Sequence, residues 1–128
     1  MRARCYIAGP MRARPQFNFP AFMDAATRLR AAGWTVFNPA EMDKLDEASD
    51  PVPLDLTLEQ QATWTNAVRQ RRYAARDMEV IIGRLRGEDG DAIVLLDGWW
   101  ESTGAFAERA VAKWVGLRIL TLGEALSE

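Results

Sequence analysis

Histidine is absent from this 128-residue chain. That removes Ser-His triads, histidine general bases and most zinc sites. Cysteine is almost absent. Cys5 stands alone, so it cannot form an internal disulfide, and its place in the run Cys5-Tyr6-Ile7-Ala8 predicts a buried thiol rather than a nucleophile. No 18-residue apolar stretch and no signal peptide can be read, which predicts a soluble, cytoplasmic protein with no membrane partner. There is no basic excess either: 16 basic and 18 acidic side chains leave a formal charge of -2. A nucleic-acid polymer is therefore a disfavoured partner. Any enzyme built from this chain must work with carboxylates, hydroxyls, arginines and backbone amides, and no metal or cofactor is expected.

What is present is the composition of one folded domain. Hydrophobic residues make up 48% and charged residues 27% of the chain, which suits a globular core rather than disorder. Basic residues gather locally at Arg2, Arg4, Arg12 and Arg14, and again at Arg69, Arg71, Arg72 and Arg76, so a pocket for one small anion stays open.

The patterning predicts strands over residues 3–8, 34–37, 91–96 and 117–122. Residues 19–32 carry helical spacing through Phe22, Ala25, Ala26 and Leu29 up to Gly33, and residues 103–115 form another helix ending at Gly116. Between them, residues 57–86 read as one long helix or two abutting ones, with Leu58, Ala62, Val68, Ala75, Met78, Ile82 and Leu85 as the apolar stripe. Residues 40–56, acidic and holding Pro51 and Pro53, read as a surface loop, a candidate lid or oligomer contact. A short helical tail closes the chain. This alternation predicts a three-layer α/β sandwich of flavodoxin or Rossmann type, with a four- to five-stranded parallel sheet in the order 2-1-3-4. In such sheets ligands bind beyond the carboxyl ends of the strands, where strand order reverses. The stretches to inspect are Gly9–Pro15 and Asp97–Gly104.

Four features converge there. Gly9 permits an unusual turn or a close backbone approach, and Arg12 just beyond it could clamp a phosphate or carboxylate. Asp77 sits at the border of the apolar face of the long helix, where partial desolvation suits a general acid. Ser102 is a natural N-cap, and with Gly104 it opens a helix N-terminus that favours anions. Glu108, among Gly104, Ala105, Val111 and Ala112, is either a rim residue or a carboxylate aimed into a pocket. Taken one at a time, these residues read as a turn glycine, a solvated arginine, a helix-surface charge and a plain cap, and Tyr6 reads as core. Taken together, they place two carboxylates, a tyrosine, an arginine and a helix N-terminus at one crevice. Two carboxylates are the usual equipment for cleaving a glycosidic bond.

The motifs Tyr6-Ile-Ala-Gly-Pro-Met-Arg12, Asn18-Phe-Pro, Asn38-Pro-Ala-Glu, Arg76-Asp77, Asp91-Ala-Ile-Val-Leu-Leu and Ser102-x-Gly-Ala-x-x-Glu108 occur in that order. The set resembles the nucleoside 2-deoxyribosyltransferase superfamily over residues 4–120, most of all its small phage and bacterial members with Gly98-Trp99 after the strand. The resemblance implies a single domain over residues 1–128 that acts on the N-glycosidic bond of a small deoxynucleoside or deoxynucleotide. It implies Glu108 as the nucleophile that forms a covalent deoxyribosyl intermediate, Tyr6 as the residue that holds it, and Asp77 as acid/base. Arg12, six residues after Tyr6, and Ser102, six before Glu108, match the phosphate-binding pair of the 2'-deoxynucleoside 5'-monophosphate N-hydrolases. The transferase branch tends to carry an aspartate at the Ser102 position. Gly9, Met11, Asn18 and Gly104 complete the expected substrate contacts. A monophosphate hydrolase is thus favoured over base exchange between deoxynucleosides, with a non-catalytic nucleotide-sensing module as a further alternative. The resemblance also implies a homodimer or higher homo-oligomer, with a residue borrowed from a neighbouring subunit. The Asp97-Gly-Trp-Trp loop is bulkier than in the hydrolases, so base preference does not carry over.

Overall fold

The structure, a computed structural model, describes residues 3–46 and 52–128. Four short strands, β1 (Arg4–Ala8), β2 (Thr35–Phe37), β3 (Ala92–Leu95) and β4 (Arg118–Thr121), form one sheet in the order β2-β1-β3-β4. All three pairings are parallel, as the alternation of strands and helices predicts.

Side chains along a strand alternate between faces, and this divides the core in two. On one side Cys5, Ile7, Ala92 and Val94 pack with Phe22, Ala25, Ala26 and Leu29 of α1 (Phe19–Ala31). On the other, Tyr6, Ala8, Ile93 and Leu95 pack with Ala105 and Ala112 of α5 (Thr103–Trp114). The two crossover helices therefore cover opposite faces. The chain leaves β1 toward one edge and β3 toward the other, so order reverses between these neighbouring strands. Their carboxyl ends open the crevice in which the site lies.

The acidic segment departs from the loop reading. Residues Pro39–Asp46 form a helix, α2. Asn38 accepts a hydrogen bond from the Ala40 N–H at 3.0 Å, and Pro39 opens the helix at the position where its missing N–H costs nothing. Residues 47–51, the middle of the expected loop, lie outside the described residues, as does Arg2.

Of the two readings of residues 57–86, two abutting helices is the one the structure takes. α3 (Leu58–Trp64) is capped by Thr57 and ends before Asn66, which caps α4 (Ala67–Met78) by accepting from the Arg69 N–H at 2.9 Å. The chain then widens into a π-helical turn over Glu79–Arg84, where the Leu85 N–H reaches back five residues to the Val80 carbonyl. The extra residue per turn changes the buried face. Val80, Ile81 and Leu85 point inward, whereas Leu58, Val68 and Ile82 are exposed. The predicted stripe through Leu58, Val68 and Ile82 is therefore not the core face. The tail is α6 (Leu122–Leu126), whose Ala125 carbonyl accepts from the buried Trp34 indole. Among the described residues, no helix is long and apolar enough to cross a membrane.

Candidate active site

A cavity of about 700 Å³ lies beyond the carboxyl ends of β1 and β3, within the range usual for small-molecule sites. Tyr6, Gly9, Met11, Arg12, Asp77, Ser102, Gly104 and Glu108 all line it. β1, the loop after it, α4 and α5 thus deliver the expected residues to one place.

Tyr6 is fully buried in mid-strand, yet its ring points from the sheet toward α5. Tyr6 is thus a core residue and at the same time part of the cavity wall. Its hydroxyl donates to Glu108 Oε2 at 2.6 Å. Burial, the charges of Glu108 and Asp77, and hydrogen bonding to both carboxylates hold the phenol well above its ordinary range. Tyr6 stays a neutral donor to Glu108, with Asp77 nearby.

Glu108 is half-buried, open to the cavity but surrounded by protein. Burial first, then the neighbouring charge of Asp77, push its carboxyl up to about 8. The Tyr6 hydrogen bond and the Arg76 charge pull down and Asp43 pushes up, without reversing the result. Glu108 therefore holds a proton at neutral pH in the empty protein.

Asp77 is buried, as its place at the border of the apolar face predicts, but it is also ion-paired. Arg76 Nη2 lies 2.7 Å from Asp77 Oδ1 and 2.7 Å from Asp43 Oδ1. Arg76 Nε also donates to Asp77 Oδ1 at 2.9 Å. Burial works against the guanidinium charge, but Asp77 and Asp43 hold it well above its usual range. Asp43 comes from α2, buried at the cavity edge. Sequence reasoning gives it no role, because it assigns the acidic segment to a surface loop. The Asn38-Pro39 helix start is the signal that could have found it.

The loop from β1 to α1 is unusual. Ala13, Gln16, Phe17 and Asn18 have φ of 60°, 55°, 53° and 59°, a region that costs side-chain-bearing residues of order 1–3 kcal/mol each. Buried Gln61 of α3 secures the loop, donating from Nε2 to the Arg14 carbonyl at 2.9 Å and accepting from the Phe17 N–H at 3.3 Å. Asn18 donates to the Pro10 carbonyl at 2.9 Å. It braces the loop and does not line the cavity. Phe17, with its ring centroid 5.7 Å from that of Trp64, supplies an aromatic wall that the sequence alone does not reveal.

Gly9 has an ordinary φ; what it permits is close packing. A Cβ there would lie 2.8 Å from Leu96 Cβ. Ser102 caps α5 by accepting from the Ala105 N–H at 3.1 Å, with Gly104 exposed in the first turn. Arg12 is exposed and donates to Gln70 Oε1 at 2.7 Å. Three other arginines have structural work. Arg4 pairs with Asp91 at 2.9 Å, Arg14 with Glu101 at 3.2 Å, and Arg69 stacks on Trp64 at 4.1 Å. The Gly98-Trp99 turn packs away from the cavity. Trp99 stacks on Phe106 at 5.9 Å, and Arg109 lies over its ring at 5.1 Å. Among the described residues, no cluster of three or more cysteines or carboxylates could hold a metal ion.

Two carboxylates on one cavity, one of them held by a tyrosine hydroxyl and the other by an arginine, with a helix N-terminus beside them, can deliver a nucleophile and a proton to one small ligand. No curated protein matches the chain. Residues 3–121 match a family described as a domain of unknown function, DUF4406, and the chain belongs to that family.

Proposed function

We propose that this protein hydrolyses the N-glycosidic bond of a 2'-deoxynucleoside 5'-monophosphate. The reading rests on one observation above the others: Glu108 is held at 2.6 Å by the hydroxyl of Tyr6 in the wall of a cavity that Asp77 also lines. A nucleophile for C1' must be bare, and the departing base must be protonated. Below about pH 8 Glu108 brings one proton into the site. Glu108 gives that proton up to Asp77, and the freed carboxylate, still accepting from the Tyr6 hydroxyl, attacks C1'. The C1'–N bond breaks, its electron pair leaves with the base, and Asp77 protonates the base. Water then adds at C1' and releases Glu108. Its second proton restores the starting state.

The phosphate reading is supported by α5, a 12-residue helix whose N-terminus carries Ser102 rather than an acid. Free N–H groups and the helix dipole favour an anion there. Arg12, on the same cavity, supplies a cation at its exposed edge. The reading also carries a homodimer, for which exposed Phe106 and Trp114 on α5 offer apolar surface. Sedimentation of wild type against Trp114→Glu tests that part.

The test of activity is base release from a panel of deoxynucleosides and their 5'-monophosphates, with and without a free acceptor base. Monophosphates should release base without an acceptor, and Glu108→Ala should not release it. An absolute need for the acceptor base would make the reaction a transfer. Full turnover by Glu108→Ala would sink the mechanism.

A further inference from the structure

The mechanism above leaves one buried acid of the cavity wall unused. Asp43 is 6% exposed and lines the cavity from α2. Its Oδ1 lies 2.7 Å from the same Arg76 Nη2 that lies 2.7 Å from Asp77 Oδ1. The guanidinium is thus clamped between two carboxylates from different helices, with the Tyr73 ring 5.1 Å away as a further support. Each contact fixes the other: Asp43 stops Arg76 from swinging, and Arg76 fixes the orientation of Asp77.

We propose that Asp43 is a positioning residue for the site: through Arg76 it holds the Asp77 carboxylate toward the cavity and takes up part of the guanidinium's positive charge. This rests on the reading of Asp77 as the proton carrier. An arginine devoted to Asp77 alone would oppose a proton on that carboxylate. Sharing Arg76 with Asp43 makes Asp77 a better proton acceptor, without placing Asp43 against the substrate.

The charged and titratable groups facing Glu108 are Tyr6 from β1, Asp77 and Arg76 from α4, and Asp43 from α2. Elsewhere around α5, Arg109 is engaged with Trp99, Glu79 with Arg84, and Arg118 with Glu128. β3 brings only apolar side chains. Removing the Asp43 charge therefore changes the site's field in one direction.

The test uses the ligand-free full chain, with the Glu108 carboxyl followed by carbon NMR across pH, and steady-state kinetics on whichever monophosphate is turned over. Asp43→Asn should lower the Glu108 titration midpoint by about one pH unit. It should reduce kcat about tenfold and leave KM within about twofold, since Asp43 does not hold the substrate. Asp43→Glu should restore the midpoint, and Arg76→Gln should move it the opposite way. If Asp43→Asn does not fold, Asp43→Ser serves in its place. A midpoint unmoved by loss of the Asp43 charge overturns the proposal, even if kcat falls, because a merely structural defect would lower activity without moving the titration. If no glycosidic substrate is turned over, the proposed function fails, and the titration still decides whether Asp43 governs Glu108.

Discussion

Replacing Glu108 by glutamine should stabilise the protein, and more so as pH rises. An ordinary glutamate is ionised above 4.5, whereas the Glu108 carboxyl in the fold holds its proton up to about 8. The folded state therefore binds more protons than the unfolded chain between those values, and stability falls as pH rises through that window. The sign is opposite to that of an ion-paired carboxylate: the contribution is intact below 4.5 and spent above 8. The gap corresponds to up to about 5 kcal/mol. Cavity water reaching the half-buried carboxylate screens it, so about 2 kcal/mol is the expected change between pH 5 and pH 9. Glutamine keeps an oxygen to accept from Tyr6 and carries no charge beside Asp77. Thermal unfolding of Glu108→Gln and wild type should therefore nearly coincide at pH 5 and separate by about 7 °C at pH 9, with the variant higher. A separation that stays constant from pH 5 to pH 9, or a variant less stable than wild type at pH 9, would refute the placement of a protonated Glu108 in this site.

Other consequences can be checked independently. If the proton carried by Glu108 is the one delivered to the base, kcat/KM should be level just below pH 8 and fall about tenfold per pH unit above it; activity that climbs through pH 8 contradicts the relay. Asp91, which accepts from the Arg4 and Arg86 backbone N–H groups at 2.9 and 2.8 Å and pairs with the Arg4 side chain, has its carboxyl held below the ordinary 3.8. Burial acts against this shift and the hydrogen bonds outweigh it. Its contribution is present above 3.8 and lost as pH falls below that value. Asp91→Ala should cost about 3 kcal/mol in urea denaturation at pH 7, and a loss under 1 kcal/mol would show the anchor to be unimportant. Gly9→Ala must displace Leu96, 2.8 Å from the new Cβ, so a loss of about 1–3 kcal/mol is expected, whereas Gly104→Ala, with only Ser102 Oγ at 3.9 Å, should be tolerated. Cys5, fully buried with its thiol pushed up to about 12 by that burial, should resist a thiol reagent at pH 8 until the protein is unfolded; rapid labelling of the native state would contradict it.

The alternation of short apolar runs with helical segments was enough to determine the parallel sheet, its order and the crevice between β1 and β3, because a right-handed crossover leaves few other arrangements. The division of faces, with Tyr6 opposite Cys5 and Ile7, came from the structure. The motifs Tyr6 to Arg12 and Ser102 to Glu108 marked the loops that line the cavity, since these follow directly from neighbouring strands. The phase of the segment from Leu58 to Leu85 was not legible. A helix break at Thr65–Asn66 and a π turn after Met78 each shift the buried face, and periodicity counted along the chain has no means of registering them. Asp43, Gln61 and the pairing of Arg76 were hidden for a related reason. Each of these residues is a polar one that sequence places at a surface, and each is buried or half-buried only because a partner from another helix or from the β1–α1 loop satisfies it. The sequence by itself determined which acids and which loops could meet. Only the tertiary structure decided their protonation and pairing, because the charge state of Glu108 depends on desolvation and on neighbours from three other elements that lie far from it along the chain.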